Sequence, residues 1–384
     1  MLVGLLVVEG LRAPRVGNLH PRTRRHPLGV GRCVGSVAQD TLCPLGCIWN
    51  KEKSQIIEQN MKKAFVFSAS VVGVSWLVAL VFHLVTGFNG DATNLEGLMK
   101  FQTFGMAYMF LPMIVAAILQ LISGEAKFVR KGATRYRLTT PHNPIFKFRP
   151  RWSWLVAVAI VPLMVGLSIL FSGLFAEVMP MKEGIMTMYA SMGIDLSALP
   201  EKDLEILNSL PSWVMLLGTV VSGLLAGVTI NALFAYGEEY GWRGYMVNAL
   251  KDTKFLPASL LIGFVWGIWH APLILMGHNN YPNPAWGVAM MTLFCLLVGI
   301  VELYFTCKSG TVWAAVFIHG TINALAGLGL IMVPSGNTFL TGMTGVAGAM
   351  ALVVIIIGIY IYDRFISRER LLSRTLGSSL ARFE

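Results

Sequence analysis

A hydrocarbon core about 30 Å thick takes roughly 20 apolar residues of helix to cross. The 384-residue chain supplies eight such segments, at about 64–88, 102–123, 153–175, 214–250, 257–276, 286–306, 311–332 and 341–362. In lipid every backbone N–H and C=O must be satisfied inside the protein, so a spanning segment is either a helix or a strand of a closed barrel. Barrel strands would alternate apolar and polar residues over about ten positions, and these segments are continuously apolar. The expected fold is therefore all-α: a polytopic membrane helix bundle of about eight transmembrane helices. Composition agrees, with 55% hydrophobic and 13% charged residues, where soluble domains carry about a quarter charged.

The chain has 30 Lys and Arg against 20 Asp and Glu, a net charge of +10. An excess of that sign suits either nucleic acid or the cytoplasmic loops of a membrane protein, and position separates the two. With the N-terminus in the cytoplasm, the basic residues gather before the first span, in the loop 124–152, around Lys251, Lys254 and Lys308, and in the C-terminal tail. The opposite side has Lys100, Lys182 and Lys202, and its long loop 176–212 is acidic, with Glu177, Asp195 and Glu205 among its residues. The charge is then an orientation signal that places both termini in the cytoplasm and excludes nucleic acid as a partner.

Four regions follow. Residues 1–60, rich in Arg, Pro and Gly, read as a disordered tail or as an over-extended gene model whose native start is Met61, since Met61-Lys62-Lys63 leads straight into an apolar helix. Residues 61–210 hold the first three spans and the acidic extracytoplasmic loop. Residues 211–332 form a membrane core with the polar motifs described next, and 333–384 contribute the last span and a basic cytoplasmic tail. The five cysteines show neither disulfide nor zinc-knuckle spacing and read as free thiols.

Each ionisable residue inside a span costs about 2.5–3.5 kcal/mol on insertion scales, so the few present are functional candidates. The fourth segment contains Glu238, Glu239 and Arg243, the fifth Trp266 and His270, and the seventh His319 and Asn323. On a helix, Glu239 and Arg243 are one turn apart, as are His319 and Asn323, whereas Glu238 is turned about 100° from Glu239. At 1.5 Å per residue, Glu238 lies ~20 Å from Lys251, His270 ~24 Å from Lys254 and His319 ~17 Å from Lys308. Three polar groups thus share one depth and define a single intramembrane site. Glu302, nearer a helix end, reads as snorkelling towards the cytoplasmic face, and His278 as a solvated loop residue. A buried carboxylate can draw a proton from water, imidazoles can orient that water, and an Asn amide can donate to an oxyanion. Glutamate with two histidines is equally a zinc-ligand set, Glu238, His270 and His319, so metal-free and zinc-dependent hydrolysis both stay open.

The ordered motifs resemble the CAAX-processing and bacteriocin-processing (CPBP) family of intramembrane proteases, which includes the Rce1-type prenyl-protein endopeptidases and the Abi proteins. The family patterns Glu-Glu-x-x-x-Arg and His-x-x-x-Asn are matched by Glu238, Glu239, Arg243 and by His319, Asn323. Its Phe-x-x-x-His pattern is matched by Trp266 and His270, with Trp in place of Phe. The resemblance covers about 213–330 and implies an integral membrane endopeptidase. In it Glu238 is the general base, His270 holds the water, His319 and Asn323 stabilise the oxyanion or His319 binds a metal, and Glu239, Arg243 and Trp266 support them. It implies a peptide or protein substrate, lipid-modified in the CAAX case, and membrane lipid as surroundings; the setting expected is a bacterial plasma membrane. The alternative is a bacteriocin-immunity or partner-binding membrane protein without turnover. A transporter is disfavoured, because no inverted repeat is visible.

Overall fold

The computed structural model describes residues 44–90, 95–130, 136–139, 144–191, 202, 205 and 209–383. The tail expected before the first span lies outside these residues up to position 43. Helix α1 (Pro44–Thr86) is followed by α2 (Leu95–Tyr108) and α3 (Leu111–Ile122), then by α4 (Trp152–Ser172) and α5 (Met181–Ser191). Next come α6 (Ser212–Val228), α7 (Ile230–Glu239), α8 (Phe255–Trp269), α9 (Pro284–Ser309), α10 (Trp313–Leu325) and α11 (Val346–Ile361). Seven helices among the described residues are long and apolar enough to cross a membrane, or eight when the bent pair of α6 and α7 counts as one span. The bundle of an integral membrane protein thus replaces the water-facing surface of a soluble domain. One short antiparallel hairpin, β1 (Lys127–Arg130) with β2 (Tyr136–Thr139), interrupts the loop before α4.

Which side of each helix faces in follows from its sequence. On α1 the residues Phe67, Val71, Ser75 and Ala79 recur every four positions and are buried, the spacing of one helix face. Phe65, Leu77, Leu84 and Val85 on its other faces are exposed, which suits lipid and would be a liability in water. Helix α9 differs: from Val298 to Cys307 every residue is buried, so it runs through the middle of the bundle.

Close approach of helices relies on small residues, as is usual where lipid offers no hydrophobic driving force between them. A Cβ at Gly267 of α8 would lie 2.5 Å from the Cα of Thr292 on α9, and one at Gly320 of α10 would lie 2.3 Å from the Gly227 carbonyl oxygen of α6. The second contact sits beside a 49° bend between α6 and α7. At the bend, the Thr229 hydroxyl donates to the Leu225 carbonyl at 2.6 Å, competing with the helix's own ladder. The span expected over 214–250 is therefore bent, made of α6 and α7 with a break at Thr229.

The C-terminal tail is ordered over 367–383 and packs on one end of the bundle. Glu369 pairs with Lys308 and Arg382 at 2.6 and 2.7 Å. Thr375 bridges to Lys254, and the Gly377 N–H donates to the Lys251 carbonyl at 2.7 Å. Lys251, Lys254 and Lys308, the three residues from which depth was counted, thus meet at the same end. At that end Arg382 also donates to the Cys307 carbonyl at 2.9 Å.

Candidate active site

Two local breaks in helical regularity and one regular helix bring the polar residues together. Helix α7 ends at Glu239 and runs into a π-helical turn, Tyr240–Tyr245; such turns insert a residue and are frequent where a helix presents functional groups. Glu238, Glu239 and Arg243 flank and occupy this turn and are all buried. Helix α8 stops at Trp269 because Pro272 has no N–H to offer the Ile268 carbonyl, and His270 is its C-cap. His319 and Asn323 lie one turn apart on α10.

Glu239 is the hub. Its Oε1 accepts from Arg243 Nη1 at 2.8 Å and from His319 Nδ1 at 2.9 Å. Because a carboxylate only accepts, His319 carries its proton on Nδ1, which leaves Nε2 directed towards Glu238 Oε1, 3.9 Å away. Arg243 Nη2 forms an ion pair with Glu302 Oε2, without the alignment of a hydrogen bond. Glu302 is fully buried, which corrects the snorkelling reading: the tail covers the end of α9 towards which its side chain was expected to reach. The indole N–H of Trp266 donates to Glu238 Oε2 at 2.6 Å, and the guanidinium of Arg243 lies 4.4 Å from the centre of the same ring.

His270 Nδ1 is 2.9 Å from the Trp266 carbonyl oxygen. A carbonyl also only accepts, so this imidazole too is protonated on Nδ1 and presents a bare Nε2. Glu238, His270, His319 and Asn323 all line one cavity of about 470 Å³, together with Trp266 and Glu302. Asn323 is exposed on its wall, and His278, expected in solvent, lies at its edge and is exposed as well. Gln102, Gly105 and Met106 of α2, with Met109 just after it, also line the cavity.

Among the described residues, Glu239, Glu302 and His319 form the group with metal-ligand geometry, their ligand atoms all within 4.8 Å of one another. It shares only His319 with the set read from the motifs. Its donors could hold a metal ion, but both carboxylates already face the guanidinium of Arg243. A dication would have to displace a buried positive charge, so the arrangement does not fit a resident metal well.

A polytopic helical bundle whose spans converge two glutamates, two histidines and an asparagine on one internal cavity defines an integral membrane protein with a built polar centre. Residues 208–325, which contain all three motifs, match the family model described as Type II CAAX prenyl endopeptidase Rce1-like. The chain is also 34% identical over 98 residues to CAAX prenyl protease 2 of Methanococcus maripaludis, an alignment covering 24% of this chain and 36% of that relative. The chain thus spans about a third of the length of the curated relative it matches. The two matches support a CPBP/Rce1-like protein.

Proposed function

We propose that this protein is an intramembrane endopeptidase in which Glu238 activates water for attack on a peptide carbonyl. The observation that carries the reading is that Glu238, His270, His319 and Asn323, contributed by three different spans, line a single cavity; the matches to Rce1-like proteins support it. Glu238 Oε1 takes a proton from water as the hydroxide adds to the carbonyl carbon. His270 Nε2 accepts a hydrogen bond from that water and holds it in line. The Asn323 amide donates to the oxygen that becomes negative in the tetrahedral intermediate. Glu238 then returns the proton to the leaving amine as the C–N bond breaks.

Glu239, Arg243 and Glu302 touch none of the reacting atoms in this scheme and hold His319 in its tautomer. No step is routed through zinc, since Arg243 already neutralises Glu239 and Glu302, the two carboxylates of the group with metal-ligand geometry. The cavity's apolar walls and its position between spans suit a substrate segment delivered from the bilayer, and the matched relative's name makes a prenylated C-terminal peptide the first to try. We propose cytoplasmic termini and a bacterial plasma membrane as the setting, which the basic residues gathered at the tail-covered end support. No observation favours a role without turnover, because each reacting position holds a chemically competent side chain.

The test is cleavage of a farnesylated CAAX peptide by protein reconstituted in liposomes. Glu238→Gln keeps the shape and removes the base, and is expected to abolish turnover while leaving the protein folded. Wild-type rates in that variant would refute the assignment.

A further inference from the structure

Where the CPBP pattern has Phe, this chain has Trp266, and the indole does something a phenyl ring cannot. Its N–H donates to Glu238 Oε2 at 2.6 Å, and the residue is 3% exposed. The ring is also held from several sides. Arg243 lies over its face, and the rings of His319 and His270 lie 5.4 and 5.7 Å from it, tilted by 55° and 54°. A side chain boxed in this way has little freedom to swing, so the direction of its N–H is fixed by packing.

The consequence falls on Glu238. Its two oxygens are chemically alike in a free carboxylate, but here Oε2 is tied to the indole whereas Oε1 faces His319 Nε2 at 3.9 Å. That distance is too long for a direct hydrogen bond and leaves Oε1 available to water. We infer that Trp266 is a positioning residue, which holds Glu238 by one oxygen so that the other is aimed at the reacting water. The inference rests on the base role proposed for Glu238. Phenylalanine at 266 would keep the aromatic wall and the face offered to Arg243 but would release Oε2.

Two variants separate the donor from the shape. Trp266→Phe removes the N–H and some volume; site-specific replacement of Trp266 by 3-benzothienylalanine removes the N–H and keeps the outline, so it decides the matter even where the Phe variant folds poorly. With the farnesylated CAAX peptide, both are expected to lower kcat roughly 10- to 100-fold, the value of a hydrogen bond to a charged group, with KM within about twofold. Loss of a donor to the carboxylate should also move the acidic limb of the pH–rate profile to higher pH. Wild-type kcat and pH profile in the benzothienyl variant would overturn the inference and leave Trp266 as a wall. Glu238→Gln assayed alongside keeps the two ideas apart. If that variant is inactive and the Trp266 variants are normal, only the positioning role falls; if it is active, the base role falls and the positioning role with it.

Discussion

Replacing Arg243 with Met removes the cation that faces two buried carboxylates, Glu239 through Nη1 at 2.8 Å and Glu302 through Nη2. All three side chains are fully shielded. Methionine restores some apolar packing, but it leaves Glu302 without its counter-charge and Glu239 with His319 as its remaining polar partner. Removing one partner of a buried pair costs about 3–5 kcal/mol, and the lost contact with the Trp266 ring about 0.5–2 kcal/mol more. Protonation of one orphaned carboxyl would relieve part of this, so a net loss near 3–5 kcal/mol is expected in a denaturant titration of the detergent-solubilised protein. The sharper test is one of sign. Glu302→Gln alone should destabilise the protein, because it strips Arg243 of a counter-charge. In the Arg243→Met background the same change should stabilise, because it removes an uncompensated negative charge. A double-mutant cycle therefore predicts a coupling of about 2 kcal/mol or more between positions 59 residues apart in sequence. Additive effects within about 0.5 kcal/mol would refute the buried pair and return Glu302 to the membrane face.

Other consequences can be measured with the same preparation. Gly320→Ala places a Cβ 2.3 Å from the Gly227 carbonyl oxygen; it should force α6 and α10 apart, cost about 1–3 kcal/mol as overpacking does and reduce kcat by displacing His319, whereas Gly358→Ala, which meets nothing within 4 Å, should be silent. Chelation with 1,10-phenanthroline is expected to leave peptide cleavage intact, with elemental analysis showing well under one zinc per chain; loss of activity restored by added zinc would refute the metal-free scheme. Partial burial pushes the Glu369 carboxyl up, but its bonds to Lys308 and Arg382 outweigh this and hold it below its ordinary value of 4.5. Tail docking is then favoured above that ordinary value and lost as pH falls through the lower folded one. Hydrogen exchange at the Leu376 and Gly377 amides, referenced to Val247, should show protection that is kept near neutral pH and lost as pH falls well below the ordinary carboxylate value, and Glu369→Gln should expose the tail at neutral pH.

What could be read in advance depended on whether the signal lay in one residue or in a relation between residues. The spans were legible because lipid imposes a length and a polarity on each segment independently of its neighbours. The site was legible because Glu238, His270 and His319 are costly in that setting, and counting from Lys251, Lys254 and Lys308 placed them level; the tail does draw those three lysines to one end of the bundle. Glu302 was misread for an instructive reason. Depth was judged from distance to the helix end, but residues 367–383 cover that end, and Arg243, a partner from another span, makes burial tolerable. The break at Thr229 carries only a weak mark, a threonine two residues after Gly227 with no proline, and the close passage of Gly320 beside it comes more than 90 positions later. For Trp266 the sequence shows only a supporting aromatic in place of Phe, because a residue type gives its size but not the direction of its N–H. That direction depends on Arg243, His270 and His319 packing around the ring, and it is through such relations that a conservative-looking exchange of Phe for Trp acquires a chemical role.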